Sequence, residues 1–308
     1  MKIAHLLGST YIGLIELYFG SIAQITAELV YGQRRLGHTV DTLTEKDFLR
    51  KKEPWGDPYP DKLKEYDIVV CHETVWLDFM DEMGIKYVHV MHDGNTLINK
   101  NHISPTQYWN NINGGKAKVV PFGVTPERFT YSEEKEDKFI YINTLCPKKG
   151  IHEILDNIGD HSLEIFGGNY EENYNRMITD KSNKLSNVEF HDRWINNEEK
   201  YKVLPKRKGM LLAHIESKGP ESFCITQLEA MFSGTPVVAY GNIFREVSEH
   251  GVSALVCNSW GDYRHYLNDV TSIKSKDCFD YGMEFYTADK MNNKHLELYQ
   301  RVIDRENW

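Results

Sequence analysis

The sequence predicts an α/β chain made of two doubly wound parallel-sheet domains that face each other across a cleft. Three observations predict it. Short apolar runs alternate with longer amphipathic segments, the pattern of parallel strands joined by right-handed helical crossovers. The pattern restarts after the charge run Glu133-Glu134-Lys135-Glu136-Asp137-Lys138. The 308 residues are too many for one ordinary domain and sufficient for two.

The elements follow in order. Met1–Leu7 reads as a strand and Gly8–Gly13 as a loop. Leu14 to Leu36 has helical spacing, and Gly37 is a natural stop. His38–Leu43 resumes as a strand, while the charged, proline-containing stretch Arg50–Pro60 reads as an exposed loop. Asp67–Cys71, Lys86–Met91 and Lys116–Pro121 are further strands. The charge run 133–138 reads as a solvated interdomain linker. Beyond it, strands are expected at Phe139–Asn143, Leu163–Phe166, Val188–Phe190, Met210–His214, Pro236–Tyr240 and Ala254–Val256. Helical segments lie between them, at Ile151–Ile158, Tyr170–Leu185, Glu198–Val203, Ile225–Phe232 and Phe244–Glu249. In such sheets ligands bind beyond the carboxyl ends of the strands, where the strand order switches.

Composition narrows the classes of function. Apolar residues make up 41%, enough for a packed core and too many for a disordered chain. Lysine and arginine total 36 against 45 acidic residues, and a net charge of −9 disfavours a general affinity for nucleic acid or anionic membrane. The cysteines, Cys71, Cys146, Cys224, Cys257 and Cys278, are widely spaced with no C-x-x-C pair. That suits reduced thiols in a cytoplasmic setting better than a disulfide framework or a zinc site. No apolar run reaches the ~20 residues that span a bilayer. The stretch from Ile3 to Val30 is broken by His5, Gly8, Glu16 and Gln24, and it reads as a first strand and helix rather than a signal peptide.

The most informative segment runs from Pro220 to Ala239. A strand ends near His214, a polar loop follows, a helix opens near Ser222 and stops at Gly234, and a buried strand begins at Pro236. Glu221 sits at the mouth of that helix and Glu229 lies eight residues on, roughly 12 Å along the axis. The amides of Phe223, Cys224 and Ile225 can receive a phosphate. Glu221 and Glu229 can then take hydroxyl groups on either side of it, the layout of a nucleoside diphosphate sugar.

This segment resembles the Glu-x7-Glu signature of the family 4 glycosyltransferases, which have the GT-B fold of two Rossmann-like domains. The resemblance continues elsewhere. Lys118–Phe129 is similar to the family's interdomain V-I-P-N-G-V-D segment, and Tyr141–Gly150 to Y-V-G-R-L-x-P-x-K-G. Leu163–Gly168 is similar to L-x-I-x-G-x-G, and Val188–Trp194 to the loop that holds the base. Tyr286–Val302 resembles the last helix, which in this family returns to the N-terminal domain. The matched order implies an acceptor-side domain at 1–126, a nucleotide-sugar domain at 127–285 and a returning helix at 286–308. The first domain matches only loosely.

The resemblance also implies roles. Lys149 corresponds to the lysine that neutralises the donor diphosphate, with Lys148 beside it. The usual arginine is replaced by Thr144, which removes a bidentate contact with the leaving group. Ser222 and Cys224 stand where the family has glycines. Gly168 and Trp194 fall in the donor-binding loops, and Gly8 and Ser9 in the loop that approaches the donor or acceptor. His92 corresponds to the histidine that points at the reacting sugar, with His72 as its rival and His89 left in the core. Lys149, Glu221 and His92 are therefore the implied catalytic set. The family works with retention and needs neither a metal nor a bound cofactor, only the nucleoside diphosphate sugar as co-substrate, and closure of its domains excludes water.

The acceptor stays open: a glycan, a lipid, a small molecule or a hydroxylated DNA base. The basic stretch Lys200–Lys208 reads as a solvated helix end and, alternatively, as a face for a membrane surface or DNA. Two other readings stand beside an active transferase. One is a degenerate nucleotide-sugar-binding subunit that needs a partner, and the other is a sugar-nucleotide epimerase of the same architecture.

Overall fold

A computed structural model describes residues 1–8, 14, 20–44, 47, 60–92, 100–168 and 171–308. Ser9, most of the expected loop 50–60 and Tyr170 lie outside the described residues. The chain forms two compact units. One comprises Met1–Thr125 together with Tyr286–Trp308, and the other comprises Pro126–Phe285.

In the first unit the described strands are β1 (Lys2–Leu7), β2 (Thr39–Thr44), β3 (Ile68–Cys71), β4 (Tyr87–Val90), β5 (His102–Ser104) and β6 (Lys118–Val119). They form one sheet in the order β2-β1-β3-β4-β5-β6. All pairs are parallel, with Ile3 opposite Ile68 and Val69 opposite Tyr87. Every residue of β3 and β4 is buried, as expected of strands covered on both faces. Helix α1 (Ser21–Arg35) packs Ala23 and Ala27 against Leu7 on one face. On the other, Leu77 and Met80 of helix α2 (Leu77–Glu82) meet Leu6, Val69 and Tyr87. Helix α3 (Gln107–Ile112) is capped by Thr106, which accepts from the Trp109 amide.

The second unit contains β7 (Glu136–Ile142), β8 (Leu163–Phe166), β9 (Val188–Phe190), β10 (Arg207–Ala213), β11 (Val237–Tyr240) and β12 (Ala254–Cys257). Their order is β12-β11-β10-β7-β8-β9, again all parallel. The order reverses between β7 and β10, so their carboxyl ends form the switch point. Helices α4 (Ile151–Asn157), α5 (Glu172–Ser182), α6 (Asn197–Val203), α7 (Ile225–Phe232), α8 (Trp260–Asp269) and α9 (Ser275–Phe285) belong to this unit. Its core joins Phe139, Tyr141, Leu163, Ile165, Leu211, Val238 and Tyr263. Helix α10 (Ala288–Ile303) belongs to the first unit. All five cysteines are free thiols.

Two expectations are corrected. The charge run 133–138 is not a linker, because it lies inside the second unit and its last three residues open β7. Its charges are matched instead. Arg207 pairs with Glu136, Lys208 with Asp137, and Lys138 with Glu189 at 3.1 Å. The same pairing lets β10 begin at Arg207, earlier than its apolar run suggests. Second, the stretch 200–208 is not simply a solvated helix end, since Lys200, Leu204, Pro205 and Arg207 are buried. Elements α2, α3, α8, α9 and β5 stand in addition to those read from the sequence. The start of α8 is set by a capping box between Ser259 and Asp262.

Candidate functional site

The loops that follow β7 and β10 meet at the switch point of the second unit. Tyr141, at the buried end of β7, places its hydroxyl 3.3 Å from the Thr144 carbonyl oxygen and 3.4 Å from that of Lys149. One ring thereby holds both ends of the loop. The Ile215 amide donates to the Lys148 carbonyl at 2.9 Å, and the Lys148 ammonium reaches the Pro220 carbonyl at 3.4 Å. Gly150 lets β10 come close. Its φ is +60°, and a Cβ there would stand 2.7 Å from the Ala213 methyl.

This stitching brings Lys149 and Glu221 together. The ammonium of Lys149 donates to Glu221 Oε2, and both side chains are largely buried. Burial works to raise the Glu221 carboxyl, but Lys149 outweighs it and holds the group below its ordinary value. Burial likewise works to lower the Lys149 ammonium, and Glu221 outweighs that too, leaving it raised. The pair is therefore fully ionised at neutral pH. His214 Nε2 meets the Gly219 carbonyl at 2.8 Å and anchors the segment that carries Glu221. Burial lowers the His214 pKa.

Helix α7 spans Ile225–Phe232, the helical segment expected from the sequence, and Glu221 sits in the loop before it. Cys224 is the N-cap and makes no side-chain hydrogen bond to the first-turn amides. Ser222, Phe223, Cys224 and Ile225 thus line the approach to that helix end, all of them buried. Cys224 has a raised pKa because of burial, which keeps its thiol protonated. Glu229, one turn into the helix, is wholly buried.

Lys200 of α6 is the residue that sequence reasoning missed. Its ammonium donates to Glu229 Oε1 at 2.6 Å. A signal was present, since Val203 and Leu204, three and four residues on, place Lys200 on the apolar stripe of its helix.

Two loops beside β7 complete the edge. The Leu145 amide donates to the Gly168 carbonyl and the Gly167 amide to the Arg193 carbonyl, both at 3.0 Å. A Cβ on Gly168 would lie 2.3 Å from Trp194 Nε1, so the half-exposed indole rests directly on that glycine. Thr144, Gly168 and Trp194 therefore share one rim with the Lys149–Glu221 pair, at the carboxyl ends of β7, β8, β9 and β10. A cavity of about 360 Å³ at the ends of β10–β12 is lined by His214, Glu216, Tyr240, Asn242 and Trp260 among others. A larger one of about 500 Å³ opens at the amino ends of the strands, away from this chemistry.

The residues of the first unit have their own surroundings. His92 follows β4, is buried, and stacks on Phe122 with ring centroids 5.5 Å apart. His72 hydrogen-bonds His92 directly at 2.8 Å, so the two rivals form one assembly. His89 is in the core and meets His102 at 2.9 Å. The Gly8 amide donates to Glu73 Oε1 at 3.1 Å, which places a carboxylate where a phosphate contact was expected. Among the described residues, Glu164, Glu189 and His191 alone come together with metal-ligand spacing. Arg207 and Lys138 already counter those carboxylates, so the group reads as an ion-pair network.

Comparisons with known proteins bear on the family and the fold. Residues 125–280 match the family described as Glycosyl transferases group 1. No match is found among the curated proteins. Among solved structures, the chain is similar to AviGT4, a glycosyltransferase involved in avilamycin A biosynthesis (TM-score 0.79, 18% identical, 100% of each chain). It is also similar to HepE of Anabaena in complex with UDP-glucose (TM-score 0.71, 16% identical, 97% of this chain and 99% of that one). A third is the sucrose-phosphate synthase of Thermosynechococcus elongatus (TM-score 0.74, 13% identical, 99% of this chain and 100% of that one). At these identities the likeness is one of fold, that of the GT-B glycosyltransferases. With the matched sequence spanning the unit that holds the Lys149–Glu221 pair, the chain belongs to the glycosyl transferases group 1 family.

Proposed function

We propose that the protein is a retaining, metal-independent family 4 glycosyltransferase that moves a sugar from a nucleoside diphosphate sugar to a hydroxyl acceptor. The observation that carries this reading is the buried, ionised Lys149–Glu221 pair at the switch point of the second sheet. A diphosphate brings two negative charges that match the Lys149 ammonium, with Lys148 and the first amides of α7 beside it. Glu221, released from part of its contact with Lys149, accepts from a sugar hydroxyl. Glu229 accepts from the ribose, and Trp194 flanks the base. The resemblance gives His92 the role of meeting the reacting sugar.

In this reaction the bond between the anomeric carbon and the diphosphate oxygen breaks. The leaving phosphate takes the proton of the acceptor hydroxyl, whose oxygen bonds the same face of the sugar. Lys149 stabilises the charge that develops on the departing diphosphate, the main electrostatic task. Thr144 in place of an arginine leaves Lys149 with a larger share of it.

HepE, similar in fold, is seen with UDP-glucose, which makes UDP-sugars the first donors to try. The test is a thermal-shift screen of nucleotides and nucleotide sugars, since a ligand bound only by the folded chain raises its melting temperature. Release of nucleoside diphosphate on adding glycan, lipid, small-molecule or hydroxymethylated DNA acceptors then follows. If Glu221→Ala left turnover intact, the site assignment would be wrong.

A second reading has one observation in its favour. Glu73 occupies the Gly8 amide with a negative charge, and Thr144 removes a positive one, so the donor diphosphate has fewer partners than usual. Tight donor binding without turnover, restored by an added partner protein, would identify a nucleotide-sugar-binding subunit.

A further inference from the structure

The cavity of about 500 Å³ in the second unit lies at the amino ends of its strands, whereas the Lys149–Glu221 pair lies beyond their carboxyl ends. Lys135 and Pro236 stand just before β7 and β11, Lys208 is the second residue of β10, and residues 271–276 lead from α8 into α9. Strand β7, seven residues at about 3.3 Å each, separates Lys135 from the loop that carries Lys149. Lys135, Lys208, Lys274 and Lys276 line the cavity, and Glu133 is the one carboxylate among its described lining residues. No aromatic side chain is among them.

The four lysines are not equivalent. Lys208 pairs with Asp137, and Lys276 with Asp280 at 2.5 Å. Lys274 is exposed and makes no ion pair among the described residues. Lys135 is half-buried, and its ammonium donates to the Pro205 carbonyl at 2.7 Å and to the Thr235 hydroxyl at 3.2 Å, both of them neutral. The Thr235 hydroxyl spends its own hydrogen on the Leu204 carbonyl at 2.8 Å, so it can only accept from Lys135. An ammonium has three N–H groups, and one is therefore left over. Glu133 does not take it, since its Oε1 accepts from the Tyr131 hydroxyl at 2.7 Å and its carboxylate makes no ion pair with Lys135. Burial pushes the Lys135 pKa down to about 8, as expected of a cation without a counter-charge. Withdrawing such a charge from water is unfavourable, and an anion bound beside it would offset that cost.

We propose that this cavity binds a phosphate group, held by Lys135 and Lys274, at a site separate from that of the donor diphosphate. A tetrahedral dianion takes the spare N–H of Lys135 through one oxygen and leaves the others for Lys274. The cavity falls in the range of small-molecule pockets, about 300–1,000 Å³, and Pro236 and Ile273 give it an apolar part. A small phosphate monoester therefore fits as well as free phosphate. The inference does not rest on the sugar-transfer reading.

The test uses the full chain and two probes, inorganic phosphate and glycerol 3-phosphate, with sodium chloride at matched ionic strength as the blank. Titration calorimetry reads binding, and acetic anhydride labelling of lysines followed by peptide mass spectrometry reads its place. The expected result is saturable binding that protects Lys135 and Lys274 and leaves the exposed Lys202 labelled as before. Lys135→Met and Lys274→Gln should each weaken binding by about 10-fold or more, the scale of a hydrogen bond to a charged group. Lys149→Met should leave the protection of Lys135 unchanged. Tighter binding of glycerol 3-phosphate would identify the ligand as a monoester, and binding no tighter would identify it as free phosphate; either upholds the site. Absence of saturable binding, or protection that falls on Lys149 and is lost in Lys149→Met, would overturn the proposal. The labelling is done on the wild-type chain and Lys274 is exposed, so the outcome is decided even if Lys135→Met fails to fold.

Discussion

Lys200 donates to one oxygen of the wholly buried Glu229 at 2.6 Å, while the other oxygen, Oε2, has no hydrogen-bond partner among the described residues. A buried carboxylate with one oxygen unspent is costly unless something completes it. A ribose hydroxyl would do so. The pair is thus both a structural tie between α6 and α7 and the proposed receptor for one end of the donor.

Removing only the cation should be destabilising. Lys200→Met leaves Glu229 charged and unpaired in the core, and the expected cost is ~3–5 kcal/mol. Urea unfolding followed by circular dichroism reads it. Glu229→Gln should restore much of that loss in the Lys200→Met background, since a neutral amide is cheaper to bury. Equal stability of Lys200→Met and wild type would mean that the ion pair does not form.

The Lys149–Glu221 pair makes a kinetic prediction. Lys149→Met should lower kcat/KM for the donor by about 10²–10³-fold, the scale of losing one group that stabilises developing charge. The loss should appear chiefly in kcat, because the leaving diphosphate carries most negative charge in the transition state. An unchanged kcat with a raised KM would confine Lys149 to ground-state binding.

Stability should fall in mild acid. His5, His72, His89, His92, His102 and His295 are buried in the first unit, and burial lowers the pKa of each. Above about pH 6.5 these rings are neutral in the folded and unfolded chain alike. As the pH drops below that, the unfolded chain takes up protons that the folded one refuses. Each ring then removes up to about 1.4 kcal/mol per pH unit, and for His5, His89, His92, His102 and His295 this continues until the pH reaches folded values of about 3 to 4. Urea midpoints measured at pH 7.5, 6.5 and 5.5 should decline, and a flat series would show these rings to be solvated.

DNA should bind poorly through the stretch 200–208. Lys200 is committed to Glu229, Lys202 to Glu198, Arg207 to Glu164 and Glu136, and Lys208 to Asp137. Little uncompensated charge remains to displace counterions. The logarithm of affinity against that of salt should have a slope near zero for unmodified duplex. A steep slope abolished by Lys206→Ala would reverse this expectation.

The doubly wound pattern was legible because β3, β4, β8 and β11 are short apolar runs between helices, and buried parallel strands have little choice of composition. Helix α7 was legible for the same reason, with seven of its eight residues buried. The opening of β7 and β10 was hidden, because Glu136, Asp137, Lys138, Arg207 and Lys208 look solvated one by one and become strand residues only by pairing across the sheet. Glu221 and Lys149 could be picked from the sequence, but not their direct contact, which depends on Tyr141 and Gly150 folding two distant loops together. The hydrogen bonds linking Gln33, His5, His72 and His92 were beyond reach, since these residues share no local spacing and meet only through sheet order.

The first unit is discontinuous, with its own sheet at the front of the sequence and Tyr286–Trp308 added after the whole second unit. During synthesis the ribosome delivers β1–β6 long before Asn292, which donates to the Glu28 carbonyl, Tyr299, which accepts from Gln33, and Trp308, whose indole donates to the His102 carbonyl. The second unit can thus finish folding while the first still waits for its closing segment. A nascent chain released at Phe285 would leave Gln33 without the Tyr299 hydroxyl to which it donates.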